Sequence, residues 1–237
     1  MSQLDLLSVR AGEPRRILVG SSRAELRLAR AVSWLTGRGA TTRLVIIGPT
    51  LEVAAELSRE AGAQLGGSVF GWERTTLSRL AAAFAAPALA EQGAAPSGRL
   101  SLEALWTRIV HRSAERGELG RFARVADRPG LPRALAHTFD ELRMARASAG
   151  ALGDPDLEVL GAAFERELEA DQIADRARIF ELAVAAARDR KTKHTWLDVP
   201  FALVDVPIRN AREADLLLAL AARAEFALAT FPEGDER

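Results

Sequence analysis

The chain has 237 residues, enough to bury a core in one or two domains, and its apolar and charged fractions are those of a globular protein. Basic and acidic residues balance at 32 each, so no global field draws the chain toward nucleic acid. The absence of cysteine excludes disulfides and thiolate metal sites, and no apolar run approaches a membrane span, so a cytoplasmic location away from membranes is expected. The basic residues are almost all arginine, and the only lysines are Lys191 and Lys193.

Residues 1–14 are mixed and read as an N-terminal arm ending in Gly12 and Pro14. Ile17, Leu18 and Val19 then run without polar interruption, as a strand buried on both faces of a parallel sheet would. A Gly20-Ser21-Ser22 turn follows, and Leu28, Val32 and Leu35 recur at helical spacing up to Gly37. Arg43–Gly48 reads as a second buried strand, and Pro49-Thr50 opens a helix through Leu51, Ala54 and Leu57. Ser68–Gly71 reads as a short third strand, with Thr75-Thr76 capping the next helix. Alternating strands and helices with right-handed crossovers predict a three-layer α/β unit.

The pattern changes at Pro87, and Glu91–Gly98 has the composition of a linker. The following hundred residues offer no strand candidate. Four apolar stripes at helical spacing, centred on Leu105, Leu135, Leu160 and Phe180, predict helices. Phe201–Asp205 is then a buried strand ending in a carboxylate, Asn210 caps another helix, and Phe226–Thr230 is a fifth strand. The expected organisation is an α/β domain over residues 1–95 and 195–237, interrupted by an all-helical insertion over 96–194.

Strand, tight turn and helix over residues 16–37 is the arrangement in which P-loop NTPases carry their phosphate cradle, G-x-x-x-x-G-K-[ST]. Counted from Gly20, the second glycine is Glu25, the lysine is Leu26 and the hydroxyl residue is Arg27. The degenerate loop, Ile47-Gly48-Pro49-Thr50 and Phe70–Leu77 resemble the first motifs of superfamily 1 helicases. Phe201–Asp205 is similar to a Walker B strand, and Ala229–Asp235 to the motif after it. Asp171–Ala183, with Ala174-Asp175-Arg176-Ala177, is similar to a helical segment of the N-terminal region of AddB-type subunits of bacterial helicase–nucleases.

The resemblance implies a degenerate, RecA-like P-loop fold, with residues 96–194 in the place of the helicase 1B subdomain. It implies a module of a DNA repair and recombination complex of the PD-(D/E)xK nuclease family, with an AddA-type subunit as partner and the later motifs beyond Arg237. Gly20, Ser21, Ser22 and Asp205 would be a vestigial nucleotide site, and Thr50, Trp72, Arg74 and Thr75 would touch single-stranded DNA weakly. With the Walker B glutamate replaced by Val206, the resemblance implies no catalytic residue, no metal ligand and no cofactor. Two other readings stand beside it. One is a working ATPase with a divergent P-loop, using ATP and magnesium; the other is an unrelated α/β protein binding a small anion at the Gly20 turn.

Other patterns have ordinary explanations. Pro155-Asp156 with Asp189-Arg190-Lys191 imitates a nuclease motif, yet Pro and Asp belong in the first turn of a helix. His111, His137 and His194 are scattered, and Trp34, Trp106 and Trp196 fit core positions.

Overall fold

The computed structural model describes residues 15–234, and Asp235 of the last helicase-like motif and the N-terminal arm lie outside them. The chain divides into two compact units. The first comprises Met1–Leu80, Ala187–Ile208 and Leu217–Arg237; the second comprises Ala81–Ala186 and Arg209–Leu216. The first division thus falls inside a helix at Leu80, upstream of the linker-like stretch. The second unit also takes in the start of the helix that Asn210 caps.

The elements, in chain order, are β1 (Arg16–Ser21), α1 (Ala24–Thr36), β2 (Leu44–Ile47), α2 (Leu51–Gln64), β3 (Trp72–Thr75) and α3 (Leu77–Gln92). Then come β4 (Ala95–Pro96), α4 (Arg99–Glu115), α5 (Gly130–Met144), α6 (Pro155–Ala170), β5 (Ile173–Ala174) and α7 (Arg176–Arg188). The chain closes with β6 (Phe201–Val204), α8 (Ala211–Arg223) and β7 (Ala227–Pro232).

The first unit is an α/β structure built on a five-stranded sheet in the order β1-β7-β6-β2-β3, and every pairing is parallel. β2 and β6 are adjacent and buried along their whole length, as uninterrupted apolar runs in a parallel sheet require. On one face Leu44, Ile46, Ala202, Val204 and Leu228 pack with Val32 and Leu35 of α1 and Ala54 and Leu57 of α2. On the other, Val45, Ile47 and Phe201 meet Leu80, Leu220, Ala224 and Trp196.

Two strands differ from their sequence reading. β1 is an edge strand whose residues alternate between exposed and half-buried, and Leu18 is 76% exposed. A bare apolar run does not reveal whether a neighbour stands on both sides. The third strand begins at Trp72 and not at Ser68, because Gly66, Gly67 and Gly71 all have positive φ and keep the chain out of extended geometry until then.

In the second unit α4, α5 and α6 surround Trp106, whose ring lies 4.7 Å from those of both Phe139 and Phe164. Gly161 permits the approach of α6, since a Cβ there would stand 2.8 Å from Phe139 Cε1. α3 runs through Pro87 to Gln92, with Ala85 and Leu89 keeping a buried face across the proline. The region is not wholly helical. β4 and β5 form a two-residue parallel pair, with Ala95 N–H donating to Gln172 O and Ser97 N–H to Ala174 O, each at 2.9 Å. A strand of two residues is too short to leave a periodic trace.

Arginine forks hold both units together internally. In the second, Asp175 is 2% exposed and accepts from Arg143 Nε at 2.6 Å while capping α7 through Arg178 N–H at 2.9 Å. Arg176 bridges Asp140 at 3.0 Å and Glu213 at 2.8 Å. In the first, the buried Arg223 donates to Asp198 at 2.9 Å and to the carbonyls of Asp189 at 2.9 Å and Thr192 at 3.2 Å.

Two outcomes follow. Asp175→Ala leaves the Arg143 charge without its main partner and α7 without a cap, so denaturant titration is expected to show a loss of about 3–5 kcal/mol. Asp175→Asn, which keeps an acceptor for the cap, is expected to lose less. The second outcome concerns acid. Hydrogen bonds from Arg223 hold the Asp198 carboxyl below its ordinary range, and the Lys191 amide does the same for Asp189. A folded-state value below the unfolded one stabilises the protein above about pH 4, and that stability disappears as pH falls through the folded value. Thermal melts from pH 7 to pH 2 should therefore fall less steeply for Asp198→Asn than for the wild type, from a lower starting point.

Candidate functional site

β1 and β6 flank β7, so the turn after Gly20 and the carboxylate after β6 open at the same carboxyl edge of the sheet. This is where open α/β sheets bind ligands. Asp205 leaves β6 with φ of +49°, a left-handed conformation that Asp tolerates better than most residues.

Arg27 lies in the first turns of α1 and is only 6% exposed. Its Nε donates to Asp205 Oδ1 at 2.9 Å and its Nη2 to Oδ2 at 2.9 Å, a two-pronged contact between residues 178 positions apart. Nη1 donates to the carbonyl of Ser21 at the end of β1. From β7, the buried Thr230 hydroxyl donates to Asp205 Oδ1 at 2.7 Å and accepts from the Asp205 amide at 3.1 Å. Hydrogen bonding to Asp205 raises the Arg27 guanidinium above its ordinary value, so it stays charged at every pH at which the protein folds.

The turn itself is also occupied by its own neighbours. Gly20 pairs in register with Phe231, and a Cβ there would meet Phe231 Cζ at 2.8 Å. The glycine therefore makes room for a ring. Ser21 Oγ accepts from the Arg23 amide at 3.1 Å, and Glu25 adds a carboxylate to the first turn of α1. Ser22 is exposed.

In a P-loop NTPase the loop hydroxyl and the Walker B aspartate hold magnesium between them. Here the residue at the hydroxyl position is an arginine that reaches the aspartate directly and brings its own positive charge. Both Asp205 oxygens already accept hydrogen bonds from Arg27, and Oδ1 also from Thr230. The residues present do not fit a magnesium–nucleotide complex. Among the described residues, no group of three or more His, Asp or Glu side chains is placed to hold a metal.

The four positions expected to touch DNA do not form one surface. Trp72 is 4% exposed, opens β3 opposite Leu44 and packs in the sheet core, so it is no stacking platform. Thr75 is 1% exposed, and its hydroxyl donates to the Thr76 carbonyl at 3.3 Å; the cap of α3 is Thr76, whose Oγ1 accepts from Arg79 N–H at 3.4 Å. Thr50 is exposed, but its hydroxyl accepts from Val53 N–H at 3.3 Å. Glu52 sits at that helix start, its carboxyl held low by its own backbone amide and by Thr50. A carboxylate there opposes a phosphate. Arg74 alone remains an exposed cation, on the edge strand β3.

The residues that sequence reasoning missed are Arg27 and Thr230. Arg27 counted only as a lost hydroxyl, although an arginine at that position beside an isolated strand-end aspartate was the available signal. Asp205→Ala leaves the Arg27 charge buried without a partner, and the melting temperature is expected to fall by roughly 10 °C. Replacing both groups, as in Arg27→Met with Asp205→Leu, should recover most of that loss in the same thermal melts, because no uncompensated charge remains.

Against known proteins, the chain matches no family model and no curated protein, so the chemistry of this edge is read from its own residues.

Proposed function

We propose that the chain is a non-catalytic, helicase-like module of the AddB type, a RecA-like domain with its helical companion, that scaffolds an AddA-type partner in a DNA end-processing complex. One observation carries the reading. Arg27 and Asp205, which the helicase resemblance aligns with the P-loop hydroxyl and the Walker B acid, are joined directly to each other. A fixed guanidinium supplies the cation that magnesium would otherwise bring, so the two loops stay together without nucleotide. A domain of this kind keeps the shape of a motor domain and loses its dependence on the fuel. The parallel sheet and the carboxyl-edge location of the pair support the same reading.

No step of ATP hydrolysis is assigned to this site. The residue at the lysine position is Leu26, which is 46% exposed, and Val206 follows Asp205 where a water-activating glutamate would stand. Isothermal titration with ATP and magnesium is expected to give no saturable heat. Thermal melts should agree, since a ligand at a hundred times its Kd would add about 2.7 kcal/mol of stability and none is expected. Micromolar ATP binding in either measurement would overturn the reading.

A further inference from the structure

The two side strands of the sheet differ in how they face outward. β1 and β3 each have one neighbour, β7 and β2 respectively. Two exposed charges, Glu73 and Arg74, stand on β3, and charge on a side strand is a common guard against pairing with another chain. β1 has no such guard. From Ile17 to Ser21 it carries no charged residue, and Leu18 is 76% exposed. The one charge of the strand, Arg16, is turned aside, with Nε donating to the Ala221 carbonyl of α8 at 3.0 Å.

The backbone of β1 is open in a defined pattern. Ala227 N–H donates to Arg15 O at 2.8 Å and Glu233 N–H to Ser21 O at 3.2 Å, so the odd-numbered residues turn their backbone groups toward β7. Arg16, Leu18 and Gly20 therefore turn their N–H and C=O groups outward, where among the described residues no strand pairs with them. Side chains alternate between the two faces of the sheet. Ile17 and Val19 pack on the core shared with α1, and Leu18 stands on the opposite face.

We infer that a second copy of this chain pairs with this strand, β1 against β1 in antiparallel order about a two-fold axis through Leu18. The axis stands perpendicular to the sheet, so residues opposite each other must belong to the same face. Leu18 then meets Leu18 of the second copy, Ile17 meets Val19, and Arg16 meets Gly20, whose lack of a side chain leaves the arginine stem unobstructed. The outward-facing residues are the ones that exchange N–H···O bonds, at Leu18 and at the Arg16–Gly20 pair on either side. At such an axis every group meets its own copy, which decides between the two side strands. Through β1 the axis joins two exposed leucines. Through β3 it would set Glu73 against Glu73 or Arg74 against Arg74, and like charges directly opposite repel. The six residues of β1 span about 20 Å, a short front beside the roughly 1,200–2,000 Å² that stable complexes bury. The dimer is therefore reversible and forms with rising concentration. The inference rests on this strand alone and is independent of the nucleotide and DNA readings.

Sedimentation velocity of the full chain, from low micromolar to near-millimolar concentration, tests the inference. The mass is expected to move from monomer to dimer and no further, because a two-fold pairing uses up the open strand. Leu18→Lys places two ammonium groups at the axis and should weaken association at least tenfold. Because Leu18 is exposed in the monomer, that variant should melt like wild type when both are dilute. Cross-linking gives a second readout, since the chain has no cysteine of its own. Opposed Cα atoms in a hydrogen-bonded antiparallel pair are about 5.5 Å apart, within the roughly 4.4–6.8 Å that a disulfide spans. Under mild oxidation Leu18→Cys should therefore give a covalent dimer, and Glu73→Cys on β3 should not. A monomer throughout the range, a mass that climbs past the dimer, undiminished association of Leu18→Lys, or equal cross-linking by Glu73→Cys would overturn the inference.

Discussion

The bidentate contact between Arg27 and Asp205 is the constraint around which the carboxyl edge of the sheet is arranged. A guanidinium that is 6% exposed must be matched by a carboxylate and by acceptors for its remaining N–H groups, or it costs several kcal/mol to bury. Asp205 and the Ser21 carbonyl meet that demand. In doing so they pin the turn after β1, the first turns of α1 and the end of β6. Thr230 extends the same set of contacts to β7, which lies between the two strands. The left-handed backbone of Asp205 is tolerated because two side chains, Arg27 and Thr230, define where its carboxylate must lie.

The same chemistry recurs elsewhere in each unit. Arg223 gathers three carbonyls and Asp198, Arg143 holds the buried Asp175, and Arg176 spans Asp140 and Glu213. A planar fork with five donors can satisfy several acceptors from one point, and it stays charged under all conditions of folding; an ammonium offers only a compact charge on a flexible stem. The distribution in this chain follows that difference. Arginine fills the buried and half-buried junctions, while the two lysines stand exposed on the loop before β6.

Functionally, the sheet presents one closed margin and one open one. The carboxyl edge, where an α/β protein of this shape would ordinarily bind a ligand, is closed by its own side chains and is neutral. The outer side of β1 carries the exposed Leu18 and backbone groups that no strand among the described residues pairs with, and no charged residue within Ile17–Ser21 guards it.

By itself the sequence determined the alternation of strand and helix around the sheet, the presence of Glu25, Leu26 and Arg27 after the Gly20 turn, and the helical character of most of the second unit. These are local properties: periodicity, turn residues and motif spacing act over a few neighbouring positions and can be read there. What only the tertiary structure decided was which residues meet. Ile17–Val19 read as doubly buried, but the strand order placed them at an edge. Trp72 read as a DNA-contacting residue beyond the third strand, but the positive φ of Gly71 delays the strand so that Trp72 enters the core. Arg27 read as a missing hydroxyl, and only the fold shows it bonded to Asp205. That contact spans 178 positions, and no local pattern carries the information that two such distant groups will share a carboxyl edge.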